Sequence, residues 1–310
     1  MITAPTPAMR AVLDQLAAED ANLPDWTGLP APEGRALAER TNARWNTELP
    51  EIAERTDHTL AGCAATRIVP HEDDGHGAIL YVHGGGFAFC SRATHERAAR
   101  ALAIAARAPV TTFEYRLAPE HPFPAGLDDV CAAWPAFAAM EAGRKLAFAG
   151  DSAGANLSLA AMLAGVSPRP DCALLFYGVY AVDAERPSYS VFADGPGLTR
   201  AKMLHYLDWY VPREARANPL AAPLHADDAA LKALPPLYLN IAGIDPLRSD
   251  TEALHERLQG LGRNDVCDVF EGVVHGFMQM TKVLPEAREA TTRAGAAFRH
   301  MTTTKNGRKP

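Results

Sequence analysis

The sequence lacks the features that mark several large classes of protein. No run approaches the roughly 20 uninterrupted apolar residues that a membrane-spanning helix requires, and no basic segment followed by an apolar run, as in a secretory signal, stands at the start. The five cysteines are odd in number and widely spaced, and none forms a CxxC pair. We therefore expect reduced thiols in a cytoplasmic protein that does not enter a membrane.

A strong charge of one sign is also missing. The net charge of −7 and the pI of about 5.9 give no indication of a nucleic-acid or anionic-membrane partner. Hydrophobic residues make up 48% of the 310 residues, against 22% charged residues, so the chain has enough apolar surface for a sizeable core. This length and balance suit one large α/β unit.

Short apolar runs alternate with helical patterns over most of the chain. The runs at 78–82, 110–115, 146–149, 174–177, 237–241 and 266–270 predict strands, and the longer segments between them predict helices. Such alternation indicates right-handed crossovers and a mostly parallel sheet with helices on both faces, which is an α/β fold. In these sheets the reactive groups collect where the strands end.

Two segments stand outside this alternation. Residues 1–50 show two helical patterns before the first predicted strand, and residues 183–215 combine a loop rich in Gly, Pro and Asp with a helix carrying Met203, Tyr206 and Trp209. Either segment is a cap over the active end of the sheet or an ordinary packing helix. We divide the chain into an N-terminal cap region (1–50), a catalytic domain (51–302, with 183–215 as a second cap segment) and a disordered polar tail (303–310).

A nucleophilic serine is predicted at residue 152. Gly150-Asp151-Ser152-Ala153-Gly154 matches the GxSxG pattern, in which glycines remove the Cβ atoms that would clash at a sharp turn. An apolar strand pattern precedes the motif and a helix-forming run follows it. That strand–turn–helix context is what the motif requires.

A run of three glycines predicts donors for an oxyanion. His83-Gly84-Gly85-Gly86-Phe87 follows the strand at 78–82, and backbone amides there would stabilise the charge that builds on a carbonyl oxygen during acyl transfer. We predict Gly84 and Gly85 as donors, with the Ala153 amide as the third. No GxxxxGK[ST] or GxGxxG pattern accompanies the run, so a phosphate site is disfavoured. His83 is interpreted as a structural hydrogen-bonding group.

The base and acid are predicted from their positions after Ser152, where the expected chain order is Ser, Asp or Glu, then His. Of the five later histidines only His275 lies in a loop just after a predicted strand, so it is the predicted base. Asp245 follows the strand at 237–241 and is the predicted acid. Asp250 is interpreted as a helix N-cap, and Asp183 remains a second rival.

These motifs together resemble the hormone-sensitive-lipase-like esterases, a bacterial branch of the α/β-hydrolases. The resemblance runs over about residues 64–300 and includes the HGGGF and GDSAG motifs, residues 115–125 and 243–247, and His275-Gly276-Phe277. It implies an eight-stranded sheet with an N-terminal helical cap. It also implies hydrolysis of short-chain acyl esters without cofactor or metal, and a homodimer formed through the last strand.

The substrate pocket is predicted from the large side chains near these motifs. The candidates are Phe87, Phe89, Tyr177, Leu198, Met203, Tyr206 and Trp209. An amidase, deacetylase or carbamate hydrolase remains an alternative, because amine leaving groups use the same triad. A non-catalytic ligand receptor on the same scaffold is a more remote alternative, since such receptors tend to lose the base.

Overall fold

One eight-stranded sheet organises the protein. The computed structural model describes residues 4–303. The strands lie in the order β1-β2-β4-β3-β5-β6-β7-β8, parallel from β4 to β8, with β2 antiparallel to both of its neighbours. Their bounds are β1 Glu54–Leu60, β2 Cys63–Val69, β3 Gly77–Val82, β4 Val110–Phe113, β5 Lys145–Asp151, β6 Cys172–Phe176, β7 Leu237–Ile244 and β8 Val266–Val274.

Helices cover both faces of this sheet. They are α1 Pro7–Glu19, α2 Ala31–Asn42, α3 Glu96–Ala106, α4 Ala125–Met140, α5 Ala153–Leu163, α6 Pro187–Val191, α7 Arg200–Tyr210, α8 Asp228–Ala233, α9 Arg248–Gly260 and α10 Pro285–Thr303. Side chains of α4, α5 and α9 join one buried cluster, and those of α3 and α10 join the other. Alternate residues of the central strands enter opposite clusters, as the two-residue period of a strand requires. Among residues 4–303, no helix combines the length and apolar character needed to span a membrane.

The predicted fold class is confirmed. The six apolar runs correspond to β3 through β8, with ends shifted by a few residues. Strands β1 and β2 had no uninterrupted apolar run to mark them. Strand β1 is mostly exposed and polar, and Thr66 and Arg67 interrupt the apolar residues of β2. The predicted tail at 303–310 begins one residue too early, since Thr303 ends α10. The remaining tail residues, 304–310, lie outside the described residues.

The tight packing of α10 against α3 generates a stability prediction. A Cβ on Gly295 would lie 2.3 Å from the backbone carbon of Ala105, so Gly295→Ala must push the two helices apart. Overpacking of this kind costs about 1–3 kcal/mol of the free energy of unfolding. Urea denaturation with fluorescence detection measures this loss.

A second glycine provides the matched control. Gly260 is the last residue of α9, and no atom other than those of its own helix and its chain neighbours lies within 4 Å of where a Cβ would stand. Gly260→Ala therefore lowers the backbone entropy of the unfolded chain without creating a clash in the folded protein. We expect it to raise the free energy of unfolding by up to about 1 kcal/mol. Equal effects at the two positions would contradict the packing argument.

Candidate active site

Ser152 lies on a sharp turn between β5 and α5. Its φ of +53° is in the left-handed region, which a residue with a side chain enters only under strain. A Cβ on Gly154 would lie 2.0 Å from the carbonyl oxygen of Val82, and one on Gly150 would lie 2.6 Å from the backbone of Gly154. Both flanking glycines are therefore required for the turn to pack against β3.

His275 and Asp245 complete a chain of hydrogen bonds to this serine. Nε2 of His275 lies 3.0 Å from Ser152 Oγ, and Nδ1 lies 2.7 Å from Asp245 Oδ2. Asp245 is fully buried at the end of β7, where its other oxygen accepts from the Leu247 amide at 2.8 Å. The Tyr177 ring packs against the imidazole with its centroid 4.9 Å away. Three segments that are distant in the sequence thus meet at one place.

The glycine loop requires a correction to the predicted oxyanion donors. The amide of Gly84 donates to Asp151 Oδ1 at 3.0 Å, so it is engaged inside the protein. Gly85 and Gly86 instead line the same cavity as Ser152, and no described residue accepts a hydrogen bond from either amide. The Ala153 amide opens α5, where the first amides have no partner within the helix. The available donors are therefore Gly85, Gly86 and Ala153.

Ser152 and His275 open into a cavity of about 610 Å³. Four of the predicted pocket residues line it: Phe89, Leu198, Met203 and Tyr206. The other three predicted residues do not line this cavity. Phe87 stacks on Tyr210 at a centroid distance of 3.6 Å, Tyr177 lies buried beside His275, and Trp209 faces a separate surface depression beside His205.

The sequence analysis predicted a cap region at residues 1–50 but did not identify which of its side chains line the cavity. Leu13, Leu16, Trp26 and Trp45 line the cavity, and the indole of Trp26 donates to the Tyr206 hydroxyl at 3.3 Å. The spacing of Leu13, Leu16 and Ala17 on one face of α1 was a usable signal, because residues three and four apart share a helix face. Nothing in the local sequence indicates which partner that face would meet.

The rival carboxylates have other surroundings. Asp183 accepts a hydrogen bond from the amide of Glu185 within its own loop. Asp250 is not an N-cap, because α9 already begins at Arg248; it lies fully buried and accepts from the Tyr180 and Ala181 amides at 2.7 and 2.9 Å. Neither carboxylate contacts the imidazole.

Comparisons with known proteins agree with this geometry. A family model described as alpha/beta hydrolase fold matches residues 79–279. Carboxylesterase NlhH of Mycobacterium tuberculosis is 39% identical over 231 residues, covering 71% of this chain and 72% of the relative. Esterase LipI of the same organism is 37% identical over 233 residues, again covering 71% and 72%.

Solved structures of ester-hydrolysing enzymes are similar to this protein over nearly the whole chain. An ester hydrolase from the metagenome of Lake Arreo is similar with a TM-score of 0.90 and 31% identity, covering 97% of this chain and 100% of that one. A hyperthermophilic esterase from the archaeon Pyrobaculum calidifontis gives a TM-score of 0.87 at 29% identity, with coverage of 97% and 100%.

Fold, serine turn and relatives together define a serine hydrolase. The chain belongs to the α/β-hydrolase fold family, within its hormone-sensitive-lipase-like branch. Its activity is the hydrolysis of carboxylic esters.

The buried Asp250 generates a prediction about pH and stability. Burial raises the pKa of Asp250 from 3.8 to about 7, although the Tyr180 and Ala181 amides and Arg186, whose Nε lies 3.8 Å from Oδ1, oppose the rise. Between about pH 4 and pH 7 the folded protein therefore binds a proton that the unfolded chain has released. The stability contributed by this group is fully present below pH 4 and is lost as the pH rises through 7.

Asp250→Asn removes this titration. We expect the free energy of unfolding of the variant, minus that of the wild type, to increase as the pH rises from 4 to 7, by at most about 1.4 kcal/mol per pH unit. Urea denaturation of both proteins at several pH values measures the difference, and other titrating groups cancel in it. Parallel curves for the two proteins would contradict the assignment of the titration to Asp250.

Proposed function

We propose that Ser152, His275 and Asp245 form the catalytic triad of this esterase, and that its substrates are short-chain acyl esters. The observation that carries the proposal is the pair of hydrogen bonds, 3.0 Å and 2.7 Å long, that links Ser152 and His275 in the wall of the cavity to the buried Asp245. The strained backbone at Ser152 supports it, because strain of this kind recurs where a nucleophile must project from a turn.

The triad geometry supports a two-step acyl transfer. His275 takes the proton of Ser152 Oγ through Nε2 as the oxygen attacks the ester carbonyl, and Asp245 stabilises the resulting imidazolium through Nδ1. His275 then protonates the departing alcohol, which leaves an acyl group on Ser152. Water enters, gives its proton to the same nitrogen and attacks the acyl carbonyl, so that the acid is released and the serine restored.

The amides of Gly85, Gly86 and Ala153 are the proposed oxyanion donors. They hold the carbonyl oxygen during both tetrahedral states, when its charge is fully developed. Donors fixed in advance are effective because they need not reorganise during the reaction. Gly86 also lies directly against the Tyr206 ring, so a side chain at that position would collide with α7.

We assign residues 1–50 and 183–215 as the two parts of a cap. Side chains of both segments line the cavity, and Asp25 of the first segment lies 3.4 Å from Lys202 of the second. We infer that the cap limits the room for the acyl chain beyond the serine, which is why we expect a preference for short acyl chains. No cofactor enters the proposed chemistry, because serine, imidazole and amides supply each step.

We also propose a homodimer and a cytoplasmic location. Strand β8 forms one edge of the sheet, and its side chains Val266 and Val269 are exposed. An apolar edge strand of this kind is suited to pairing with a second copy. The five cysteines are free thiols, which suits a reducing compartment.

Ser152→Ala tests the nucleophile. We expect kcat on p-nitrophenyl acetate to fall by about 10⁴-fold or more, because loss of a nucleophile removes the acyl-enzyme route. The matched control is Ser158→Ala, since Ser158 is also a buried serine of this region but donates only to the backbone of its own helix. Turnover by the Ser152 variant above about one percent of wild type would refute the assignment.

A panel of p-nitrophenyl esters tests the substrate class. We expect kcat/KM to be highest for the shortest acyl chains between two and twelve carbons and to fall for the longest, because the cap limits the space beyond Ser152. Initial rates at 405 nm measure this dependence, with acetanilide as the matching amide substrate. Highest turnover on twelve carbons would refute the chain-length preference, and preferred cleavage of acetanilide would favour an amidase.

A further inference from the structure

Three loops of the site meet at one buried carboxylate, that of Asp151. Its Oδ1 accepts hydrogen bonds from the Tyr81 hydroxyl at 2.8 Å and from the Gly84 amide at 3.0 Å. Its Oδ2 lies 3.4 Å from Nε2 of His95, and both side chains are buried. We call Asp151, Tyr81, His95 and Gln279 the Asp151 cluster. The triad does not use any of these four side chains.

His95 extends the cluster to the loop that carries the base. Its Nδ1 faces the Ser91 carbonyl oxygen at 3.2 Å, and its Nε2 lies 3.0 Å from the side-chain amide of Gln279. Gln279 follows His275 by four residues, and Asp151 directly precedes Ser152. The cluster therefore joins the nucleophile turn, the glycine loop and the base loop.

The carboxylate of Asp151 and the imidazole of His95 lie 3.4 Å apart, and each shifts the pKa of the other. Burial alone would raise the pKa of Asp151, but the charge and hydrogen bond of His95 and the Tyr81 hydroxyl outweigh it and hold that pKa below its usual value. Burial alone would lower the pKa of His95, and the carboxylate of Asp151 outweighs it and raises that pKa. This pairing matters because a buried carboxylate without a nearby positive charge would repel the negative charge that develops on the carbonyl oxygen of the substrate.

We propose that Asp151 is a positioning residue for the oxyanion site. Its carboxylate fixes the Gly84 peptide so that the following two amides face the reacting carbonyl oxygen, and His95 balances its charge when the imidazole is protonated. The inference rests on the proposed function, because it assumes that Ser152 is the nucleophile and that Gly85 and Gly86 donate to the oxyanion.

The conformation of the glycine loop explains why such a tether is needed. Gly85 and Gly86 have φ values of +117° and +60°, a region that glycine enters freely but does not prefer over others. A run of three glycines has many alternative conformations, and a hydrogen bond at its first amide removes many of them. Loss of the tether should therefore weaken binding of the tetrahedral state more than binding of the substrate.

Asp151→Ala is the first test, in the full-length enzyme with p-nitrophenyl butyrate and with active sites counted by a fluorophosphonate. We expect kcat per active site to fall about 10- to 100-fold with KM changed by less than about threefold, because two donors are displaced and not removed. The Ki of phenylboronic acid should rise by the same factor, because its tetrahedral adduct on Ser152 places an anionic oxygen among the same amides.

Asp151→Asn is the second variant, which preserves the shape of the side chain if the alanine variant does not fold. An amide oxygen still accepts from Gly84, but a hydrogen bond to a charged acceptor is roughly twice as strong as one to a neutral acceptor. We expect a three- to tenfold fall in kcat per active site with a parallel rise in the Ki of phenylboronic acid.

Phe137→Leu is the control for general destabilisation. Phe137 is fully buried in α4 and does not line the cavity. We expect this variant to lower Tm while leaving kcat per active site and the Ki of phenylboronic acid at wild-type values. A role of Asp151 in stability alone would give the Asp151 variants this same pattern.

The outcomes separate this inference from the proposed function. Wild-type kcat and Ki in the Asp151 variants, or a fall in kcat without a rise in Ki, would overturn the positioning role. Ser152→Ala is measured in parallel with the same substrate and inhibitor. Retained turnover there would overturn the triad itself, whereas an inactive Ser152 variant beside unaffected Asp151 variants would overturn only the inference about Asp151.

Discussion

The close approach of the serine turn to strand β3 is the constraint on which the site depends. Because Gly154 has no side chain, the start of α5 lies against the carbonyl oxygen of Val82, the last residue of β3. The glycine loop begins directly after that same residue. The chain path therefore places the Ser152 hydroxyl close to the backbone amides of the glycine loop. Ser152 accommodates this approach in a left-handed conformation, at a cost of order 1–3 kcal/mol that the surrounding packing offsets.

Two carboxylate–imidazole pairs lie near Ser152, each with a buried carboxylate. Asp245 holds His275 by a 2.7 Å hydrogen bond, and the other nitrogen of that ring remains free to exchange a proton with the serine. Asp151 lies farther, 3.4 Å, from His95, whose ring is enclosed by protein groups on both sides. The same chemical pair can thus serve proton transfer where the imidazole contacts the serine, and charge balance where it does not.

The motifs that could be predicted from the sequence are those whose chemistry is local. The glycines around Ser152 are required by one short turn, and His275 and Asp245 each follow a strand that its apolar run reveals. The order of the strands in the sheet then brings these ends together without further information. Strands β1 and β2 were not located, because β1 pairs along an exposed edge and carries no alternating apolar pattern.

The choice among three identical glycines could not be made from the sequence, for a physical reason. An amide is available to an oxyanion only if no protein group accepts from it, and the acceptor for Gly84 lies 67 residues away on Asp151. The same limit applies to Phe87 and Trp209, which are apolar side chains of the right kind but face Tyr210 and His205 instead of the cavity. Tertiary contacts decide which groups a site leaves unpaired, and unpaired groups are what a reacting substrate meets.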